Sequence, residues 1–158
     1  MTDRPVIRFT VRMIPTAKGR PRAFALKGRA IMYTPAKTAQ AEQDFIALAD
    51  PHAPAIPFEG PVELVLRFIL PIPASWSIKK RQAARFHTSK PDLDNFVKTV
   101  ADALSRSGRW WRDDSQIAAL NASKQYGPAP QIDIEIHALT DERTTAVRPV
   151  AQTQAALL

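Results

Sequence analysis

Lys90-Pro91-Asp92-Leu93-Asp94-Asn95-Phe96-Val97-Lys98 is the stretch from which the rest of the chain can be ordered. Proline at 91 pushes Lys90 out of the helical region. From Leu93 onward, Leu93, Phe96, Val97, Val100 and Leu104 recur at helical spacing on one face. The spacing predicts a helix that begins just after Asp92, buries this stripe and is ended by Gly108. Asp92 then sits at or before the N-cap. Asp92 and Asp94 are two apart, which points their side chains about 200° apart inside a helix and the same way in an extended segment. Both can approach one ion only where the helix is just starting. Asp is also a favoured N-cap, and acids in a first turn offset the helix dipole, which explains one aspartate without any chemistry.

Downstream of the helix comes a second acidic pair, Asp113-Asp114, followed by a strand expected over Gln116 to Gln125. A helix of about 15 residues is ~22 Å long. Asp114 therefore has to be carried back along the strand to meet Asp92 and Asp94, or meet them from a partner subunit, and the sequence leaves both open. A side-chain turn is the alternative for this pair. Three convergent carboxylates would select Mg²⁺ or Mn²⁺ by the hardness of their oxygens. Lys98 lies one helical turn past Asp94. It is suited to holding a phosphate, or to an ion pair with Asp94 worth only ~0.3–0.5 kcal/mol.

Further out, Val6 to Ile14 reads as a first strand, and Pro15 to Arg22 as a loop broken by prolines and Gly19. Ala30 to Tyr33 reads as a short strand. Thr34 as N-cap and Pro35 at the first helical position start a helix running to about Ala49. Pro51 to Pro61 is a proline-rich loop, Val62 to Leu70 a strongly apolar strand, and 74 to 91 a long basic connection. Ile132, Ile134 and Ile136 alternate with polar residues, which marks a half-exposed strand. The last two strands are expected to form a hairpin. Trp110 and Trp111 are read as core or subunit-interface residues, with base stacking the lesser alternative.

At 158 residues the chain suggests one domain with a proper core, here 1–140, followed by a small, polar, flexible tail over 141–158. There is no cysteine, which excludes disulfides and thiolate chemistry and fits a reducing compartment. His52, His87 and His137 are too scattered for zinc. No apolar run approaches the ~20 residues of a membrane helix, and Met1-Thr2-Asp3-Arg4 opens no signal peptide, so a cytoplasmic location and no membrane partner are expected. The net charge of +7 is concentrated in two acid-free stretches. One holds Lys18, Arg20, Arg22, Lys27 and Arg29; the other holds Lys79, Lys80, Arg81, Arg85 and Lys90. They are either solvated loops or arms that track phosphates.

Asp92-Leu93-Asp94-Asn95, Lys98, Asp102-Ala103-Leu104 and Asp113-Asp114-Ser115-Gln116-Ile117, in this order and spacing, resemble the RusA family of Holliday junction resolvases. Lys18-Gly19-Arg20-Pro21-Arg22 and Tyr33-Thr34-Pro35 look like the arm of many members, and the similarity spans roughly residues 6 to 139. The resemblance implies a homodimer that cleaves four-way DNA junctions, with Mg²⁺ (Mn²⁺ substituting) held by Asp92, Asp94 and Asp114, no small-molecule cofactor, and Lys98 assisting cleavage. Asp113 becomes structural or secondary. Lys18, Arg20, Arg22, Lys79, Lys80, Arg81, Lys90 and Asn95 become the expected DNA contacts. His87-Thr88-Ser89-Lys90 departs from the family's denser arginine run. The expected fold class is α+β: a single two-layer domain, with a small mixed sheet of about four strands packed against two main helices. Two other readings share these features: a non-catalytic branched-DNA-binding dimer, and a nuclease acting on flaps or forks.

Overall fold

In a computed structural model the described residues are 5–140, so the expected tail lies outside them. The main sheet has four strands in the order β1-β6-β4-β5, where β1 is Val6–Val11, β4 Val62–Pro71, β5 Ile117–Gly127 and β6 Gln131–Ala138. β4 runs parallel to β5 and antiparallel to β6, and β1 pairs antiparallel with β6. The mixed sheet carries two main helices, α1 (Ala36–Ala49) and α3 (Leu93–Ser107), as the apolar patterns require. Val62, Leu64, Leu66, Phe68 and Leu70 alternate onto one face of β4, joined by Ile132, Ile134 and Ile136 of β6. Phe45 of α1 and Phe96, Val100 and Leu104 of α3 close over them. Each such side chain contributes about 1.5–3 kcal/mol by leaving water. The opposite face of the sheet is polar, with Arg67 and Thr10 on Asp133 and Arg8 on Glu135.

Trp110 and Trp111 are core residues, both fully buried. Trp110 stacks on Phe9 at 5.0 Å, and the indole N–H of Trp111 donates to Ser105 Oγ at 2.8 Å. Gly108 ends α3 in the left-handed region (φ 70°), and α1 begins one residue later than expected, with Pro35 in the capping position.

Three expectations need correction. β5 and β6 do not form a hairpin, because β4 lies between them. The near-continuous apolar run of β4 wants a neighbour on each side, and the Ile ladder of β6 is one of them. The chain crosses the end of β4 through residues 128–130. The crossing is close: a Cβ on Gly127 would stand 2.4 Å from Ile69 Cγ2. Secondly, β3 (Arg29–Tyr33) is one half of a ribbon whose other strand, β2 (Arg22–Leu26), the sequence reading left in loop. Lys27 (φ 49°) and Gly28 (φ 74°) make its two-residue turn, the left-handed pair that suits a twisted hairpin. Thirdly, the basic connection contains a short helix, α2 (Ile78–Ala83), capped by Ser77 Oγ accepting from Lys80 N.

Candidate active site and nucleic-acid interface

Asp92 occupies the N-cap position of α3, yet its side chain accepts no hydrogen bond from the first turn. Both its oxygens instead receive Lys90 Nζ, at 2.7 Å each. That bond, aided by the charges of Lys90, Lys124 and Arg20, holds its carboxyl below the usual range and keeps it ionised. The capping explanation for Asp92 thus does not describe what its carboxylate does. Asp94 is exposed in the first turn, Lys98 is exposed one turn on, and Asp102 lies half-buried a further turn along. Steps of four residues put all three on one helix face.

That face borders β5. Asp94, Lys98, Asp102 and Asp114 line one groove of about 520 Å³, over an apolar floor that includes Val97, Ala101 and Leu120. Asp114 arrives there because a single 3₁₀ turn, Asp114–Gln116, joins α3's exit to β5. Asp113 is the cap of that turn: the Ser115 hydroxyl, and then Ser115 N at 2.8 Å from its Oδ1, hold its carboxyl below the usual range. Gln116 closes the capping box by accepting from Arg112 and Asp113 N–H groups, and its amide ties the turn to the carbonyls of Phe58 and Gly60. Asp113 is therefore spent on structure, which leaves Asp114 as the member of the pair on the groove.

Asp92 does not line the groove. From Asp94 to Asp102 the helix advances ~12 Å, so a shared lining is not a shared coordination sphere. Among the described residues no three His, Cys, Asp or Glu side chains are gathered to hold a metal ion. The donor chemistry nevertheless suits a hard cation. It is all carboxylate oxygen, and magnesium takes one or two carboxylates and fills its remaining positions with water and phosphate.

The expected DNA contacts divide into three groups. Arg20 and Arg22 are exposed at the foot of the β2–β3 ribbon, and Lys79, Lys80 and Arg81 are exposed on α2, with Lys80 Nζ 4.0 Å over the Trp76 ring. Lys90 is exposed but holds Asp92, and Asn95 is half-buried, its carbonyl accepting from Lys18 N and Thr99 Oγ1. Lys18 differs from all of these. Its ammonium is engaged by Asp102 and by Glu42, whose Oε1 is 3.4 Å away. Glu42 is 1% exposed, and its other oxygen meets Arg106. Burial alone would push the Lys18 ammonium down, but Asp102 and Glu42 hold it above its ordinary 10.5. Lys18 pins the chain to α3 more than it faces solvent.

Lys124 of β5 was missed by the sequence reading. Its ammonium donates to the carbonyls of Ser89 (2.6 Å) and Pro91 (2.7 Å), fixing the segment that delivers Asp92. Only the folded chain, in which Phe86 bridges to Gln125 and His87 N meets Lys124 O, brings residue 124 beside 89–91, and no local pattern signals it. Asp102 was visible in principle, since it continues the Asp94, Lys98 series by one more turn.

Comparison with known proteins fits this geometry. The family described as Endodeoxyribonuclease RusA matches residues 13–137. The chain is 36% identical over 136 residues to the uncharacterized protein YqaN of Bacillus subtilis (strain 168), covering 82% of this chain and 94% of that one. It is also 40% identical over 58 residues to the crossover junction endodeoxyribonuclease rusA of Lactococcus phage r1t, covering 37% of this chain and 44% of the phage protein. With its acids, its lysine and its 3₁₀ turn all inside the matched span, the chain belongs to the RusA family of endodeoxyribonucleases.

Proposed function

We propose that this chain resolves four-way (Holliday) DNA junctions as a magnesium-dependent endonuclease, acting as a homodimer that makes paired symmetric nicks. The observation that carries the reading is the groove that Asp94 and Lys98 of α3 line together with Asp114 of the 3₁₀ turn beyond that helix. Asp94 and Asp114, which line the groove, are the residues that would hold Mg²⁺ there, and Asp92, which lies outside it, would join them once Lys90 lets it go. Bound there, the ion would supply an activated water and neutralise charge on the phosphoryl oxygens. Lys98, exposed on the groove wall, contacts the phosphate being cut and balances the charge that builds on it. Lys90 can exchange Asp92 for a DNA phosphate, since both are exposed anion partners for one ammonium. Arg20, Arg22, Lys79, Lys80 and Arg81 neutralise the flanking strands. The named activity of the phage relative supports the four-way substrate. The dimer is supported by the two-fold symmetry of the junction, which calls for two equivalent sites.

The test is cleavage of matched four-way, three-way, flap and linear DNAs with and without Mg²⁺. Paired nicks confined to the four-way substrate, abolished in Asp94→Asn while junction binding persists, are expected. Wild-type cutting rates in Asp94→Asn would place the chemistry elsewhere. Equal cutting of flaps would replace the substrate but keep the site.

A further inference from the structure

The β2–β3 ribbon pairs with no strand of the main sheet, and every one of its residues is exposed. Its register sets Arg22 opposite Tyr33, Phe24 opposite Ile31 and Leu26 opposite Arg29. Residues opposite one another share a face, so these six side chains lie together, while the other face carries three alanines and Met32. The first face is an apolar stripe with an arginine at each end. Phe24 (47% exposed) and Tyr33 (43%) meet edge to face at 5.8 Å. Lys27 stands at the tip, and from Arg4 to Ala41 there is no Asp or Glu.

Such a stripe calls for a partner that is both polyanionic and able to accept apolar rings. A second copy fits poorly, because stripe against stripe about a two-fold axis brings Arg22 and Arg29 towards their own kind. DNA meets both demands. A two-stranded ribbon fits a groove of ~12 Å, apolar side chains wedge between base steps, and flanking arginines take phosphates. The foot of the ribbon is fastened to the groove's helix, where Lys18 N donates to Asn95 O at 3.0 Å, and to α1, where Gly19 packs against Thr38 so tightly that a Cβ would stand 2.9 Å from Oγ1.

Resting on the reading that the chain acts on branched DNA, we propose that β2–β3 is a wedge for the branch point. Phe24 and Tyr33 stack on bases loosened where the strands exchange, and Arg22 and Arg29 grip the phosphates on either side. Because its foot is tied beside Asp94, the wedge sets how far from the branch point the strand is cut.

The test uses the full chain, without metal, on a four-way junction carrying 2-aminopurine at the branch point and on a linear duplex of equal length. The unaltered chain should brighten the 2-aminopurine on binding. The exposed double variant Phe24→Ala/Tyr33→Ala should lose that rise and bind the junction roughly ten-fold or more weakly, with duplex affinity nearly unchanged and the same sedimentation as the unaltered chain. Arg22→Ala/Arg29→Ala should weaken both DNAs and lower the salt slope by about two. Equal losses on junction and duplex in the aromatic variant would overturn the wedge, as would an unchanged 2-aminopurine response. A variant that falls apart to monomer would show the stripe to be a subunit clasp instead. Metal-dependent junction cutting by the unaltered chain without any brightening would sink the wedge alone; no junction binding at all would sink the functional reading with it.

Discussion

Replacing Lys18 with methionine keeps an unbranched side chain, one atom shorter, and removes the ammonium with its charge and its hydrogen bond to Asp102. Glu42 is then left 1% exposed with Arg106 on one oxygen, while its Oε1, which has no hydrogen bond and only the Lys18 ammonium at 3.4 Å, faces nothing. Removing one side of a buried pair costs ~3–5 kcal/mol. Arg106 stays in place, and the Lys18 side chain is itself 18% exposed, so the cost falls to the bottom of that range or just below it, about 2–3 kcal/mol. With a urea slope of about 2 kcal/mol per molar, the unfolding midpoint should fall by ~1–1.5 M at unchanged slope. The cycle of Lys18→Met, Glu42→Gln and the double variant isolates the pair. The double variant should be more stable than Lys18→Met alone, because Glu42 is then no longer left as a lone buried charge. The pair's contribution holds through neutral pH and disappears only as pH rises through the raised pKa of Lys18. A coupling below ~0.5 kcal/mol, within the additivity of independent sites, would refute the reasoning. So would a Lys18→Met chain of full stability whose only defect is a shallower salt dependence of DNA binding, since Lys18 would then be a phosphate contact after all.

Gly127→Ala should destabilise by about 1–3 kcal/mol through overpacking, read from denaturant midpoints; combined with Ile69→Ala it should cost less than the two single losses added, and strictly additive losses would mean the close approach at 2.4 Å is not the cause. Lys124→Met should release the 89–91 segment, slowing nicking several-fold with junction affinity largely kept and amide exchange faster at Asn95, whose N–H is bonded to Asp92 O; unchanged exchange would remove Lys124 from its positioning role. Burial and the neighbouring Lys124 charge lower the His87 pKa from its ordinary 6.5, so the unfolded chain takes up a proton that the native one refuses. Stability should therefore fall as pH drops from about 7.5 to 5.5, and His87→Leu should flatten that fall; identical slopes would contradict it.

The parts of the fold that sequence made legible are those decided by burial on one periodic face. β4, β6 and α3 follow from their Leu, Ile and Phe spacing, and Gly108 ends α3 where expected. Strand order was not legible, because Ile132, Ile134 and Ile136 satisfy the same alternation beside β4 as they would beside β5. The β2 strand escaped because none of its side chains is buried, although Phe24 and Leu26 before Lys27-Gly28, and Ile31 and Tyr33 after it, carried a hairpin signal. In the site, Asp94 and Lys98 were visible as neighbours on a helix. The capture of Lys18 by Glu42 and Asp102, and of residues 89–91 by Lys124, spans separations that only the folded chain closes.

β4 and β5 are adjacent and parallel, and the chain between them, residues 72–116, carries both acidic motifs, Lys98 and α2. Those two strands cannot zip together until this whole intervening segment has closed its loop, a cost paid in chain entropy before any ladder forms. Asp94, Lys98 and Asp114 are thus brought to one groove by the same event that completes the sheet. A folding species that keeps β1, β4 and β6 but has not yet docked β5 would be compact and inert. An opening fluctuation that peels β5 away would dismantle the groove while leaving most of the core intact.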